Sequence, residues 1–89
     1  MSLDLDKAVT TVILHRPLAD AVGRYEDWLK EIVPAAQRFA GHQGVNVIRP
    51  HGSSDAYTIV LHFDTVEHLR AWLDSDVRSQ LIAKIRPFL

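Results

Sequence analysis

Between residues 8 and 15 the chain reads AVTTVILH, and its apolar positions fall on both sides of a two-residue alternation. Val9, Thr11 and Ile13 lie on one side, Val12 and Leu14 on the other. β-Branched residues at this density predict a strand, and apolar residues on both faces predict that both faces are covered. From Ala19 to Phe39 the period changes. Val22, Tyr25, Leu29, Ile32, Ala36 and Phe39 recur at steps of three and four, which form one stripe of a helix. Pro34 falls inside that stripe and predicts a kink or break, because it lacks an amide donor and crowds the preceding turn. Gly41 predicts the end of the helix.

The second half of the chain repeats the alternation. GVNVIR (44–49) reads as a strand stopped by Pro50, PHGSSD as a turn, and AYTIVLHF (56–63) as a third strand. The third strand carries Tyr57, Ile59, Leu61 and Phe63 on one face and Thr58, Val60 and His62 on the other. Its short connection to the second strand predicts a hairpin. Asp64, with Glu67 three residues on, has the spacing of a capping box. The helix that follows buries Val66, Leu69 and Leu73, with Trp72 at the border of that face. Asp74-Ser75-Asp76 interrupts and recaps the chain, and a last helix carries Val77, Leu81, Ile85 and Phe88. The expected order is β-α-β-β-α-α, an α+β domain with a three-stranded antiparallel sheet and helices on one face.

That layout leaves a sheet face uncovered. Thr10, Val12, Leu14, Asn46, Ile48, Thr58, Val60 and His62 are its expected members, too apolar a surface to leave in water. A domain of 89 residues is also small enough to need help, and without Cys disulfides cannot supply it. A second copy over the open face answers both needs, so a homodimer is expected. Ten basic and eleven acidic residues, with no concentrated positive patch, give no support to a nucleic-acid or membrane-surface partner. The longest apolar runs fall far short of the roughly 20 residues that span a bilayer. The N-terminal MSLDLDK is acidic where a signal peptide is basic. One cytoplasmic domain over residues 1–89 is the expectation, either complete or the N-terminal part of a longer protein.

The runs FAGHQGVNVIRP and YTIVLHFDTVEHLRAWLDSD resemble the antibiotic biosynthesis monooxygenase-like superfamily of dimeric α+β barrels, and in particular a branch of uncharacterised bacterial proteins. The resemblance covers nearly the whole chain from residue 8, and the strand-to-helix segment with its Trp-Leu pair is its most specific part. It implies a ferredoxin-like fold in which the sheets of two subunits form a barrel. Two features depart from the family pattern. The fourth strand expected after the last helix is missing, because the chain ends at Arg86-Pro87-Phe88-Leu89. The haem-degrading members use an Asn on the first strand, a Trp in the helix and a His ten residues later. Trp72 matches the Trp, but Ile82 stands at the His position and the first strand has no Asn. Haem degradation is therefore not expected.

The residues offer few groups for chemistry. His15, His42, His51, His62 and His68 form no close pair with metal-ligand spacing, so no metal is expected. His42 and His51 read as loop residues, His68 as the exposed side of a helix. His15 and His62 sit on strands, where an imidazole facing a pocket titrates near neutral pH. Asn46 is the odd polar residue of an apolar strand, and it either pairs across a dimer or binds a ligand carbonyl. Trp72 reads as a core residue or as the wall of a pocket. Tyr25 and Tyr57 lie on apolar faces, and Trp28 edges the long helix as a packing residue. No phosphate loop, dinucleotide fingerprint, nucleophile elbow or carboxylate pair is present, so no cofactor is expected, and acidic residues are expected only to cap and solvate.

Two functions follow. The resemblance implies a cofactor-independent monooxygenase acting on a small aromatic of phenol or quinol type. Its candidate residues are His62 as base and Asn46 as carbonyl donor, with Trp72, Tyr25 and His15 binding substrate. The alternative is a non-catalytic module that dimerises or binds a small ligand within a longer, membrane-linked protein. A cavity lined by Trp72 and one of His62, His15 or Asn46 favours the enzyme. An interior filled by side chains favours the module.

Overall fold

The computed structural model describes residues 8–89; the acidic segment 1–7 lies outside the described residues. Three strands, β1 (Val9–His15), β2 (His42–Ile48) and β3 (Tyr57–Phe63), and three helices, α1 (Val22–Gln37), α2 (Val66–Leu73) and α3 (Asp76–Ile85), follow in the order β-α-β-β-α-α. Short 3-10 turns precede α1 at Ala19–Ala21 and follow α3 at Arg86–Phe88. The sheet order is β1-β3-β2, all antiparallel. β3, the central strand, pairs Val12 with Val60 on one side and Asn46 with Val60 on the other. The register slips once, between His42 and Gly44, where β2 bulges.

The alternation read from the sequence decides which residues meet the helices. Tyr57, Ile59, Leu61 and Phe63 of β3 are all buried, and with Tyr25, Trp28, Leu29, Ala36, Trp72 and Ile85 they form the core. Their neighbours on the same face are Ile13 on β1 and Val45 and Val47 on β2. Across the sheet, Thr10, Val12, Leu14, Asn46, Ile48, Thr58, Val60 and His62 occupy the other face, as alternation predicts. No element of the described residues covers it. Val12 is 61% exposed, Leu14 56% and Ile48 48%. Among the described residues there is no fourth strand, and the sheet of one chain is open rather than closed into a barrel.

Several local expectations are corrected. Pro34 does not break α1, which is continuous from Val22 to Gln37. Pro34 and Lys30 lie on the exposed side, so the carbonyl four residues back that loses its donor is open to water. The helix ends at Gln37, before Gly41, and β2 begins at once at His42. Gly41 is still required: its φ is +83°, and a Cβ there would run into Asp64 Oδ1 and His68 Nδ1. The cap of α2 is Thr65, not Asp64; its hydroxyl accepts from the His68 amide at 3.1 Å. Asp64 instead bonds His68 Nδ1 at 2.7 Å, so His68 is paired rather than merely solvated. Ser75 caps α3 by accepting from the Arg78 amide. Val77, expected in the buried stripe of α3, is exposed.

Among the described residues no helix is long and apolar enough to cross a membrane.

Candidate functional site

Between the sheet and the helices the packing leaves a cavity of about 40 Å³. Ile13 and His15 of β1 form part of its floor, Trp28 of α1 and Trp72 of α2 its aromatic walls, and Arg78 and Ile82 of α3 its far side. Space of this size holds a water or a diatomic gas, and it admits the edge of an aromatic ring only if a wall gives. The lining is almost wholly apolar, with His15 and Arg78 bringing its ionisable groups.

Trp72 is 2% exposed, more deeply buried than the border position in its helix predicts, yet it borders the cavity. Its ring meets Phe39 edge-on at 5.1 Å between centroids. α2 is short and capped at Thr65, two residues after β3 ends, so Trp72 falls in its last turn, three residues before Ser75 caps α3. Trp28, read from the sequence as a packing residue, is buried and is also a wall. Its indole Nε1 donates to the Leu81 carbonyl at 2.7 Å, tying α1 to α3.

His15 ends β1, where the strand leaves the sheet, and its Nδ1 lies 2.9 Å from the Tyr25 hydroxyl. Tyr25 is fully buried, with Tyr57 at 4.6 Å and Trp28 at 5.4 Å between ring centroids. Burial, reinforced by Tyr57 and Glu26, pushes the Tyr25 hydroxyl far above its ordinary pKa, so it keeps its proton. Burial first, and then the Arg78 guanidinium, lower the pKa of His15, which favours neutral imidazole at pH 7. Outside the cavity a second polar group forms: Glu26 accepts from Tyr57 Oη at 2.6 Å and from Arg49 Nε and Nη2 at 2.8 and 2.7 Å. Hydrogen bonds from Arg49 and then Tyr57 hold the Glu26 carboxyl down to about 2. An acid expected only to solvate thus anchors α1 to the ends of β2 and β3.

The five residues singled out from the sequence do not meet in one place. Trp72 and His15 line the cavity, and Tyr25 reaches it through His15. Asn46 and His62 belong to the opposite face of the sheet, where His62 Nδ1 pairs with Thr10 Oγ1 at 3.0 Å. Within one chain the sheet stands between them and the cavity. Sequence reasoning missed Trp28 and Arg78 as cavity residues and Glu26 and Arg49 as a network. The alternation did carry one signal for the sorting: His62 and Asn46 share a face with Val60, not with Ile59 and Leu61. Among the described residues no three of His, Cys, Asp and Glu gather closely enough to hold a metal ion.

The family model for antibiotic biosynthesis monooxygenases matches residues 8–84, the span that holds all three strands and both cavity tryptophans. The chain belongs to the antibiotic biosynthesis monooxygenase family. An uncharacterised protein of Synechococcus elongatus is 34% identical over 98% of the chain. The chain spans 43% of the length of that relative. Among solved structures, a conserved protein of Methanosarcina mazei superposes with a TM-score of 0.85 at 13% identity, over 97% of this chain and 85% of that one. The heme-degrading protein of Mycobacterium tuberculosis gives a TM-score of 0.68 at 22% identity, over 76% and 79%. These likenesses show the ferredoxin-like α+β fold, and membership of the monooxygenase family supports a monooxygenase-like or small-molecule-binding role.

Ile82, at the position where the haem-degrading members place their His, lines the cavity in this family member. A hydrocarbon side chain offers iron no lone pair. The residues here do not fit haem.

Proposed function

We propose that this domain is a cofactor-independent monooxygenase acting on a small, electron-rich aromatic of phenol or quinol type. The observation that carries the reading is the cavity that Trp72 and His15 line together. Trp72 and Trp28 supply flat apolar walls that must part to admit a ring, since about 40 Å³ is less than a ring fills, and His15 and Arg78 supply polarity at one end. The phenolate reduces dioxygen by one electron, and the two radicals combine at the ring carbon para to the oxygen. The hydroperoxide then loses water, so phenol and O2 give p-quinone and water, with the substrate as the only reductant. The protein's part is to hold the anion beside dioxygen and to keep bulk water away. Because His62 lies across the sheet, the base assigned to it has no place in this scheme, and the substrate enters already ionised.

The domain acts as a homodimer in this reading, its open sheet face covered by that of a second copy. The exposure of Val12, Leu14 and Ile48 supports it. His62 and Asn46 then belong to the subunit contact. A second reading, a non-catalytic ligand-binding or assembly module, is favoured by the small volume of the cavity.

An oxygen electrode separates the two. With a panel of monocyclic phenols and hydroquinones in the presence of chelator, the enzyme reading predicts protein-dependent oxygen uptake. For a phenol that is converted, one quinone should form per O2. Binding of a panel member without oxygen uptake leaves the module.

A further inference from the structure

The contact between His15 and Tyr25 fixes more than the position of a ring. Tyr25 is fully buried, and among the described residues its hydroxyl makes one hydrogen bond, to His15 Nδ1 at 2.9 Å. If Nδ1 carried the imidazole proton and donated it, the tyrosine's own O–H would be left buried without an acceptor, a costly arrangement. The satisfied alternative has Tyr25 donating and Nδ1 accepting. A neutral imidazole whose Nδ1 accepts carries its proton on Nε2, and among the described residues no hydrogen bond engages Nε2.

We propose that Tyr25 is a positioning residue that locks His15 in the Nε2–H tautomer, so that the cavity presents an N–H donor beside the Arg78 guanidinium and takes its phenol-type ligand as the anion. This rests on the reading of the cavity as the ligand site. Both groups at the polar end favour negative charge: His15 of β1 as a fixed donor, and Arg78 of α3 as a cation whose Nη1 donates to the Leu73 carbonyl at 3.4 Å and whose other N–H groups are not engaged among the described residues. Every other residue around the cavity, on α1, β2, β3 and α2 as well as Ile13 and Ile82, is aliphatic or Trp, so none titrates near neutral pH, and no carboxylate lines it. The lowered pKa of His15 agrees, since it keeps the imidazole neutral and the tautomer defined. The arrangement also explains why a phenol oxygenase built on this chain needs no base: the site selects the ionised form from solution.

Long-range proton–nitrogen correlation spectra of protein with 15N-labelled histidine read the tautomer directly. His15 should show a protonated Nε2 and an unprotonated, accepting Nδ1 at pH 7. Tyr25→Phe, which keeps the ring in the core, should shift His15 toward a mixture of tautomers while the two Trp indole cross-peaks report that the fold persists. The second arm uses 4-nitrophenol, whose neutral and anionic forms absorb at different wavelengths. Near its own pKa, the bound probe should be several-fold enriched in the anion, and that enrichment should fall in Tyr25→Phe. A protonated Nδ1 in the wild type, or nitrogen shifts indifferent to Tyr25→Phe in a folded variant, overturns the positioning role. Binding of 4-nitrophenol as the neutral phenol overturns the anion preference. If the tautomer is as stated and 4-nitrophenol does not bind, it is the reading of the cavity as a phenol site that fails, and the anion preference falls with it.

Discussion

Trp28 and Leu81 are joined across the helical layer by a hydrogen bond of 2.7 Å from the indole nitrogen to the backbone carbonyl. Their elements, α1 and α3, otherwise meet through apolar side chains and the exposed pair Lys84–Glu31. The bond therefore sets the spacing of two cavity walls. Trp28→Phe keeps most of the ring and deletes the donor, and should cost about 0.5–1.5 kcal/mol. Trp28→Ala removes a buried ring and should cost about 3–5 kcal/mol, enough to endanger a domain this small. Urea denaturation of both variants gives the comparison. No loss in Trp28→Phe would mean that the bond contributes nothing beyond packing, and equal losses would mean that the ring contributes nothing beyond the bond.

The open sheet face yields the second prediction. Val12 is 61% exposed within one chain, so Val12→Asp should scarcely disturb an isolated subunit. In the proposed dimer the same change buries an unpaired carboxylate at the contact. Light scattering at micromolar concentration should find the wild type as a dimer and Val12→Asp as a folded monomer. A monomeric wild type would remove the subunit contact from the account.

Glu26 supplies a pH dependence. Its pKa in the folded chain, about 2, lies below the ordinary 4.5. Its stabilisation is therefore complete above the ordinary value and is lost as pH falls toward the folded one. Glu26→Gln should cost on the order of 1 kcal/mol at neutral pH, a modest figure because water screens a pair at the surface. Chemical denaturation at several pH values should show that deficit shrinking as the pH approaches 2. A deficit that stays constant down to that pH would assign the loss to packing instead of charge.

Much of this architecture can be read from the residues. Alternation in AVTTVILH and AYTIVLHF separates the two faces of the sheet residue by residue, and the stripe through Tyr25, Leu29 and Ala36 finds α1 and most of its buried side, although Val22 is exposed and Trp28, outside the stripe, is buried. The same alternation already put His62 and Asn46 with Val12, Leu14 and Val60 on the open face, so their grouping with Trp72 came from the family resemblance and ran against the strand pattern. The α2 cap was misread for a local reason: Asp64 and Thr65 are both good capping residues, and only geometry shows that Asp64 is taken by His68. The Glu26 network was hidden because its partners lie 23 and 31 residues away in the chain. Helical spacing sees neighbours three and four apart and nothing beyond.

If the cavity beside Trp72 receives a small aromatic, the Trp72 indole N–H resonance responds to it. The chain has two tryptophans, so proton–nitrogen spectra contain two indole cross-peaks, and Trp28→Phe assigns them. Titration with hydroquinone under anaerobic conditions should move the Trp72 peak saturably. In Val45→Ile, which adds one methylene group to the cavity wall, the shift should be weakened or lost. That variant should remain folded, since one extra buried methylene changes stability by only about 1 kcal/mol in either direction. A Trp72 cross-peak that stays still at millimolar hydroquinone, phenol and 4-nitrophenol alike, in a protein whose spectrum is otherwise folded, would contradict the account.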